Sequence, residues 1–233
     1  MIDVPSRVLV LDDHPIVRHG LVQLINQEPD LSVCYETDDA RAAMAAIVST
    51  RPDVALVDLV LNGMHGLEFV KALKRELPAL PILVLSMHDE SVYAERALRA
   101  GANGYVMKQE ASEKVIVALR HVMAGKIHTS DAVAERLMGH FVASGTAREK
   151  LEFDRLSDRE VEVFHLIGHG RKTTEIADDL NLSPKTVETH RAHIKQKLRL
   201  ASMTELIHRA VAWNLTATVP SLAKTSGADA LSS

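Results

Sequence analysis

The sequence predicts a doubly wound α/β domain with a five-stranded parallel sheet, followed by a small all-α domain of four helices. Five short apolar runs recur through the first 124 residues, and helical patterns of about ten residues separate them. Short, nearly all-apolar strands that alternate with helices are typical of parallel sheets covered on both faces. After residue 154, capping signals and turn residues divide the chain into helices. A length of 233 residues is sufficient for both domains.

Strands and helices alternate regularly in the first domain. The predicted strands are residues 8–11, 31–35, 54–57, 82–85 and 104–107. The predicted helices are residues 16–25, 40–48, 67–77, 92–100 and 113–123. Right-handed βαβ connections place the carboxyl ends of parallel strands at one edge of the sheet, where ligands of such sheets bind.

Two adjacent carboxylates, Asp12 and Asp13, end the first strand and leave two interpretations open. They can cap the following helix, because Pro15 suits a first helical position and a helix N-terminus favours negative charge. They can also bind a cation such as Mg²⁺, which would offset the repulsion between them. This stretch alone does not separate the two interpretations.

Other strands of the first domain also end on polar side chains. Asp58 ends the third strand, Ser86 the fourth and Lys108 the fifth. A chance pattern would scatter polar residues over both ends of the strands, whereas these groups all belong to one edge. Their convergence makes capping an incomplete explanation of the acid pair and favours a cation site.

The order and spacing of these residues resemble a two-component receiver domain over residues 1–124. Asp58 follows Asp13 by 45 residues, Ser86 follows 28 residues later, and Lys108 a further 22 residues later. The resemblance implies a flavodoxin-like fold in which Asp58 accepts a phosphoryl group from the phosphohistidine of a partner kinase.

The resemblance also implies Mg²⁺ as the cofactor. Asp13, Asp58 and the main-chain carbonyl of Val60 are the expected metal ligands, and Asp12 is expected to act through a metal-bound water. Mg²⁺ prefers hard oxygen ligands of this kind.

Three further residues have implied roles. Lys108 is expected to pair with one phosphoryl oxygen, and Ser86 to donate a hydrogen bond to another. Tyr105 matches the family's switch aromatic, which turns inward as Ser86 moves. A simply packed aromatic residue on the fifth strand is the alternative for Tyr105.

The receiver resemblance is incomplete at three positions. Asn62 stands where a proline is usual, and His65 stands where Asp or Asn is usual. Gln109 follows Lys108, where many receivers have a proline after a cis peptide bond. A cis bond before a residue other than proline costs about 2.5–4 kcal/mol, so the geometry of this peptide bond is left open.

Two segments fall outside the predicted domains. Residues 125–153 are interpreted as a linker with one helix, in the stretch "DAVAERLMGHFV". Residues 214–233 are small and polar, with a proline, and are predicted to form a disordered tail.

The second domain is predicted over residues 154–213. Its first helix begins with a capping box, because Ser157 can cap and Glu160 lies three residues later. A second helix is expected at about 174–180, and Ser183 before a proline announces a third. A fourth is expected at about 202–213. Two helices joined by a short turn form a helix-turn-helix arrangement.

The third helix of this domain is the candidate DNA-reading helix. Val187, Ile194 and Leu198 fall within about 20° of one direction at 100° per residue, so the opposite side is predicted to be exposed. Short polar and basic residues there suit the major groove, with the N-terminal ones near bases and the edges near phosphates. The expected DNA-contacting residues are Lys172, Thr174, Lys185, Thr186, Glu188, Thr189, Arg191, Ala192, His193, Lys195 and Lys197.

The stretch "LSDREVEVFHLIGHGRKTTEIADDLNLSPKTVETHRAHIKQKL" closely resembles a LuxR-type helix-turn-helix domain. With the receiver pattern, it resembles the NarL/FixJ response regulators over most of the chain. This implies a non-enzymatic transcription regulator whose DNA binding is controlled by phosphorylation. The implied partners are a sensor histidine kinase, double-stranded DNA with paired half-sites and, after phosphorylation, a second copy of the chain; RNA polymerase is a further candidate.

Two other functions share parts of this residue pattern. A Mg²⁺-dependent phosphatase of the haloacid dehalogenase type also uses Asp, Ser or Thr, and Lys, but it needs a DxD pattern, and "DDHP" has no acid at the required position. A phosphorylation-independent DNA-binding protein would have a receiver that never accepts phosphate. The intact set of acid pair, Asp58, Ser86 and Lys108 argues against it.

Composition suits a soluble cytoplasmic protein. Hydrophobic residues make up 46% and charged residues 25%, and the net charge is −4. The chain lacks an apolar run of membrane-spanning length and a secretion signal, and its single cysteine, Cys34, fits a reducing compartment. The sequence leaves open the stimulus, the kinase, the promoters, activation or repression, the dimer surface and whether the DNA-reading helix is occluded.

Overall fold

The computed structural model describes residues 4–61, 64–87, 90–142, 153 and 155–218 and confirms the predicted fold class. Asn62, much of the predicted linker and residues 219–233 of the predicted tail lie outside the described residues. Within the described ranges, no helix is both long enough and apolar enough to span a bilayer.

The N-terminal domain is built around a parallel sheet in the order β2-β1-β3-β6-β7. Its strands are β1 (Ser6–Leu11), β2 (Leu31–Thr37), β3 (Val54–Asp58), β6 (Ile82–Ser86) and β7 (Gly104–Met107), and a separate hairpin consists of β4 (Val60–Leu61) and β5 (Met64–His65). The helices are α1 (Pro15–Asn26), α2 (Ala40–Thr50), α3 (Gly66–Glu76), α4 (Glu90–Ala100), α5 (Ala111–Met123) and α6 (Asp131–Val142).

Strand β1 is buried on both faces, as its apolar sequence predicts. Leu9 and Leu11 pack into one hydrophobic core, while Val8 and Val10 pack into another. Because β1 and β3 are adjacent and parallel, with Leu11 opposite Val57, the residues that follow them meet at one edge of the sheet.

Helix α6 belongs to the N-terminal domain, which corrects its interpretation as part of a linker. His128 forms a bridge with Gly104 at the end of the sheet, and the Tyr105 N–H donates to the His128 carbonyl at 2.9 Å. The Ser130 hydroxyl donates to Glu90 on α4, and Val133 on α6 is buried. Backbone pairing and an apolar anchor therefore attach the chain through α6 to the receiver-like fold.

The C-terminal domain contains four helices, and its local start signals are confirmed. The helices are α7 (Asp158–Gly168), α8 (Thr173–Asp179), α9 (Pro184–Lys197) and α10 (Met203–Thr218). Ser157 and Glu160 form the predicted capping box of α7. Ser183 caps α9 by accepting from the Thr186 N–H at 3.1 Å.

Helix α10 continues five residues past the predicted domain end at residue 213, so the start of the predicted disordered tail is wrong. Asn214 is buried, and its side-chain amide donates to the His165 carbonyl on α7 at 3.0 Å. The same amide lies 2.8 Å from His169 Nδ1. These contacts with α7 hold the polar continuation of α10 in helical form.

Candidate functional site

The carboxyl edge of the sheet forms a pocket around two buried carboxylates and one ammonium group. Lys108 Nζ lies 2.6 Å from Asp58 Oδ2 and 2.8 Å from Asp12 Oδ2. These three side chains are no more than 3% exposed. The structure thus brings together the predicted residues from the ends of β1, β3 and β7.

Strand register explains the placement of the other predicted pocket residues. Ser86 ends β6, the neighbour of β3, and is fully buried. Asp58 is opposite Leu85 in the ladder between these strands, so Ser86 and Asp58 end neighbouring strands at the same edge. Val60 follows two residues after Asp58, and its N–H donates to Asp58 Oδ1 at 3.2 Å.

The carboxylates of this pocket fit a divalent cation. Burial raises the pKa of both Asp12 and Asp13, and the Asp58 carboxylate adds to the rise. Ligand atoms of Asp12, Asp13, His14 and Asp58 all lie within 4.8 Å of one another. Carboxylate oxygens are the donors that Mg²⁺ prefers, and a cation would offset their mutual repulsion.

Capping does not account for the acid pair. The N-cap residue of α1 is His14, and its side chain makes no capping hydrogen bond, although Pro15 does begin the helix as predicted. Asp12 accepts from the His14 N–H at 2.8 Å, which is a local turn contact. Asp12 has a second oxygen bound to Lys108, so the pocket uses this residue as well.

His14 is a pocket residue to which the sequence analysis assigned no role. Its Nδ1 lies 2.8 Å from Asp13 Oδ1, 3.4 Å from Asp12 Oδ1 and 3.5 Å from Asp58 Oδ2. Its hydrogen bond to Asp58 raises the pKa of the imidazole. The position of His14 immediately after the acid pair in "DDHP" was the available signal.

The start of α3 packs directly on the backbone of Asp58. The Gly66 N–H donates to the Leu59 carbonyl at 2.7 Å, and a Cβ on Gly66 would lie only 2.1 Å from the Asp58 carbonyl oxygen. His65 is the N-cap of α3, because its Nδ1 accepts from the Leu67 N–H at 3.0 Å. Position 66 therefore requires glycine.

We expect Gly66→Ala to lower the free energy of unfolding by about 1–3 kcal/mol, because the added methyl group would meet the backbone of Asp58 and Leu59. Gly20→Ala is the matched control: Gly20 lies in α1 with open space around its Cα, so its replacement should raise stability by about 0.5–1 kcal/mol. Urea unfolding of both variants measures the difference. A stabilised Gly66→Ala protein would contradict the close packing.

The structure describes two features, in and just after strand β7, that the sequence leaves open. Tyr105 is 1% exposed and packs in the hydrophobic core, so its ring faces inward in this structure. No peptide bond within the described ranges is cis, so the bond between Lys108 and Gln109 is trans. A short 3₁₀ turn, Lys108–Glu110, then leads directly into α5.

Helix α9 presents the face that its periodicity predicts. Val187 and Ile194 are fully buried and Leu198 is nearly so. Among the described residues, neither domain covers the opposite face. Its exposed residues are Lys185, Glu188, Thr189, Ala192, His193 and Gln196, while Thr186, Arg191, Lys195 and Lys197 are partly buried along its edges. Lys172 and Thr174, at the start of α8, are also exposed.

Several of the predicted DNA-contacting residues have partners inside the domain. Lys197 Nζ lies 2.6 Å from the buried carboxylate of Glu160 on α7. Burial acts to raise the pKa of Glu160, but the hydrogen bond from Lys197 and the capping contacts outweigh it and the pKa is lowered. Glu188 accepts from the Thr173 hydroxyl at 2.7 Å and from Arg191 at 3.0 Å. Helical periodicity does not reveal partners on other helices.

An ionic contact joins the two domains at the start of α7. Asp158 Oδ2 lies 2.8 Å from Lys71 Nζ on α3, and Asp158 Oδ1 lies 2.9 Å from Arg96 Nε on α4. Burial acts to raise the pKa of Asp158, but Lys71 and Arg96 outweigh it and the pKa is lowered. No local sequence signal indicates this contact, because its partners lie 62 and 87 residues away from Asp158.

A second interdomain contact connects the start of α3 to α7. His65 Nε2 lies 3.0 Å from Glu162 Oε1, and both side chains are buried. Since His65 Nδ1 accepts from the Leu67 N–H, the proton of a neutral imidazole is on Nε2, the ring nitrogen that lies nearer to Glu162. Nearby, the rings of Tyr93 on α4 and His165 on α7 meet edge to face at 6.2 Å.

Comparison with known families gives two matches that together cover most of the chain. Residues 8–120 match the response regulator receiver domain, and residues 154–210 match the bacterial regulatory proteins of the luxR family. The oxygen regulatory protein NreC of Staphylococcus aureus (strain MRSA252) is 34% identical over 209 residues, which are 88% of this chain and 96% of NreC.

The solved structures that are similar to this chain are also response regulators. The RcsB response regulator of Salmonella typhimurium is 29% identical, with a TM-score of 0.54, over 91% of this chain and all of RcsB. A LuxR-family two-component response regulator from Aurantimonas sp. SI85-9A1 is 34% identical, with a TM-score of 0.55, over 60% of this chain and all of its own. RcsB bound to promoter rprA in the presence of phosphomimetic BeF3⁻ has a TM-score of 0.57 at 26% identity, over 89% of this chain and 99% of its own.

Proposed function

We propose that Asp58 is the phospho-acceptor of this chain, which belongs to the response regulators that join a receiver domain to a LuxR-type domain. Proteins of this kind, this chain included, regulate transcription through phosphorylation-controlled DNA binding. The phosphoryl donor is the phosphohistidine of a sensor histidine kinase, and the reaction takes place in the cytoplasm. The family consists of DNA-binding transcription regulators rather than typical enzymes. The position of the buried Asp58 carboxylate, 2.6 Å from Lys108 Nζ, carries this proposal.

Asp58 acts as the nucleophile in phosphotransfer. One carboxylate oxygen forms the new P–O bond while the P–N bond of the phosphohistidine breaks, and the released imidazole takes up a proton. Lys108 pairs with a phosphoryl oxygen and Ser86 donates to another, which stabilises charge on the transferring group. Incubation of the purified chain with a phosphodonor tests this proposal, and the decisive variant is Asp58→Ala.

The carboxylates of Asp12, Asp13 and Asp58, with the Val60 carbonyl, would hold Mg²⁺. When bound, the metal supplies positive charge that offsets the negative charge of the phosphoryl oxygens. The support is the cluster of buried oxygen donors, in which burial disfavours the charged form of Asp12 and Asp13. Asp12 would act through a metal-bound water.

DNA recognition is assigned to α9 and the start of α8. The exposed face of α9 enters the major groove of double-stranded DNA, and a homodimer of phosphorylated chains occupies paired half-sites. Support comes from the uncovered polar face of α9. Among similar structures, one describes two RcsB dimers bound to two parallel DNAs. RNA polymerase is a further candidate partner.

Control by phosphorylation is assigned to the contact between α7 and the receiver domain. Among the described residues, the receiver domain does not bury the reading face of α9, so direct contact with that face is not the basis of the control proposed here. We propose instead that the ion pairs of Asp158 and the contact between His65 and Glu162 hold the DNA-binding domain in an orientation that disfavours paired half-sites. His65 adjoins Gly66, which packs on the Asp58 backbone, so a change at Asp58 reaches this contact directly.

Tyr105 has the role of an accessory switch in this scheme. Its buried ring lies on the strand next to Ser86, so a displacement of Ser86 toward a phosphoryl group would change its packing. The support for this role is that Ser86 on β6 and Tyr105 on β7 lie on neighbouring strands.

We expect Asp158→Asn to raise the DNA affinity of the unphosphorylated chain about fivefold or more, because the loss of charge weakens the contacts of Lys71 and Arg96 with the start of α7. Affinity after phosphorylation should change little. Fluorescence anisotropy with a promoter fragment measures both states. Arg99→Ala is the control, since Arg99 pairs with Glu95 within α4. Equal affinity of Asp158→Asn and the parent protein before phosphorylation would contradict the proposed contact.

A further inference from the structure

We propose that His14 is a fourth protein ligand of the pocket's divalent cation, and that it shifts the preference of the pocket from Mg²⁺ toward cations that accept nitrogen ligands, such as Mn²⁺ and Co²⁺. This inference rests on the proposed cation site. The receiver resemblance supplies only oxygen ligands for the pocket, whereas this chain places an imidazole among them.

The spacing around His14 Nδ1 is that of ligands sharing one cation. With metal–ligand bonds of about 2.1 Å, neighbouring ligands of an octahedral ion are about 3.0 Å apart and opposite ligands are about 4.2 Å apart. The Nδ1 atom lies 2.8 Å from an oxygen of Asp13, 3.4 Å from one of Asp12 and 3.5 Å from one of Asp58. The distance to Asp13 matches that of neighbouring ligands, and the distances to Asp12 and Asp58 lie between the values for neighbouring and opposite ligands.

The backbone determines where this imidazole lies. His14 is the N-cap of α1, its N–H is bound by Asp12 Oδ1 at 2.8 Å, and its carbonyl accepts from the Arg18 N–H at 2.9 Å. Pro15, the next residue, restricts the direction in which the helix begins. The side chain of His14 is 53% exposed, so the outer side of the pocket is open to water and to phosphoryl oxygens.

An imidazole nitrogen at this position would make the pocket selective among divalent cations. Mg²⁺ binds oxygen ligands and gains little from an imidazole, whereas affinity for mixed nitrogen and oxygen sites rises from Mn²⁺ through Co²⁺. The carboxylates of Asp13 and Asp58, the Val60 carbonyl and one imidazole would form such a mixed set. The simpler alternative is that Nδ1–H only donates to Asp13. In that case His14 would compete with every cation alike, and its removal would leave the cation preference unchanged.

Calorimetric titration of the full chain with Mg²⁺, Mn²⁺ and Co²⁺ separates these alternatives. We expect His14→Ala to weaken Co²⁺ binding about tenfold and to alter Mg²⁺ binding less than about threefold. His14→Asn, which retains a side-chain oxygen, should keep Mg²⁺ affinity and also lose the preference for Co²⁺. His19→Ala, an exposed histidine of the same helix, is the control and should match the parent protein.

Pulsed electron paramagnetic resonance of the Mn²⁺-loaded chain gives a direct readout. Coupling to a coordinated nitrogen should be present in the parent protein and in His19→Ala, and absent in His14→Ala. An unchanged Co²⁺ to Mg²⁺ affinity ratio, or a spectrum without nitrogen coupling, would overturn the assignment of His14 and leave the oxygen site in place. Failure of the parent protein to bind any of the three cations would overturn both this inference and the proposed site.

Discussion

Asp58→Ala is expected to reduce acid-labile phosphate incorporation from about one phosphate per chain to background, in the presence of a phosphodonor and Mg²⁺. Asp58 is the carboxylate at the end of β3 that lies beside Lys108, the group proposed to hold the transferring phosphoryl oxygen. Mass spectrometry of the intact chain, before and after mild acid, measures the loss. Removing the metal with a chelator should have nearly the same effect.

The fold should survive this substitution. Lys108 keeps its ion pair with Asp12 at 2.8 Å when Asp58 is removed, so no buried ammonium is left without a carboxylate. Asp38→Ala is the control and should retain full incorporation, because Asp38 is an exposed carboxylate that follows the outer strand β2 rather than β1 or β3. Phosphate retained on Asp12 or Asp13 in the Asp58→Ala chain would show that the acceptor is assigned to the wrong strand.

The second large effect is expected on DNA binding when residues of α9, the DNA-reading helix, are replaced. Thr189→Ala should relax the preference at particular base pairs by roughly 1–3 kcal/mol, because Thr189 is exposed near the start of α9, where side chains reach base edges. Lys195→Ala should instead weaken binding to matched and scrambled sites alike, and should reduce the salt slope by about 0.9 for the lost phosphate contact. Binding measured across salt concentrations on both sites distinguishes the two effects.

The contacts inside the domain change what is expected of two other residues. Lys197 is paired with the buried Glu160, so Lys197→Ala should lower stability and reduce the salt slope less than Lys195→Ala does. Glu188 is proposed to accept from a cytosine amino group, and its bonds to Thr173 and Arg191 fix its orientation before DNA arrives. Equal loss of selectivity in Thr189→Ala and Lys195→Ala would mean that α9 is rotated differently in the groove.

Local and periodic signals in the sequence were sufficient for most of the fold. Strand β7 begins and ends where its apolar run does, and the other four strands of the sheet are longer than their apolar runs by only one or two residues. Strand identity followed from apolar runs that are buried on both faces, and the start of α9 followed from the cap at Ser183. The convergence of Asp12, Asp58 and Lys108 followed from the rule that parallel strands end at one edge.

Features that depend on partners distant in the chain became visible only in the tertiary structure. Asn214 lies in a polar stretch that reads as disordered, yet its contacts with α7 keep α10 helical. Likewise Lys197 reads as a free cation until α7 places Glu160 beside it.

The sequence by itself determined the two domains, the order of their elements, the carboxylates and lysine at the sheet edge and the buried side of α9. Each of these follows from a period, a cap or a strand end that neighbouring residues specify. Only the tertiary structure decided that His14 joins the carboxylates, that Asp158 binds Lys71 and that His65 meets Glu162. The physical reason is that a side chain's charge partner depends on how helices and domains pack, and residues far apart in the chain determine that packing together.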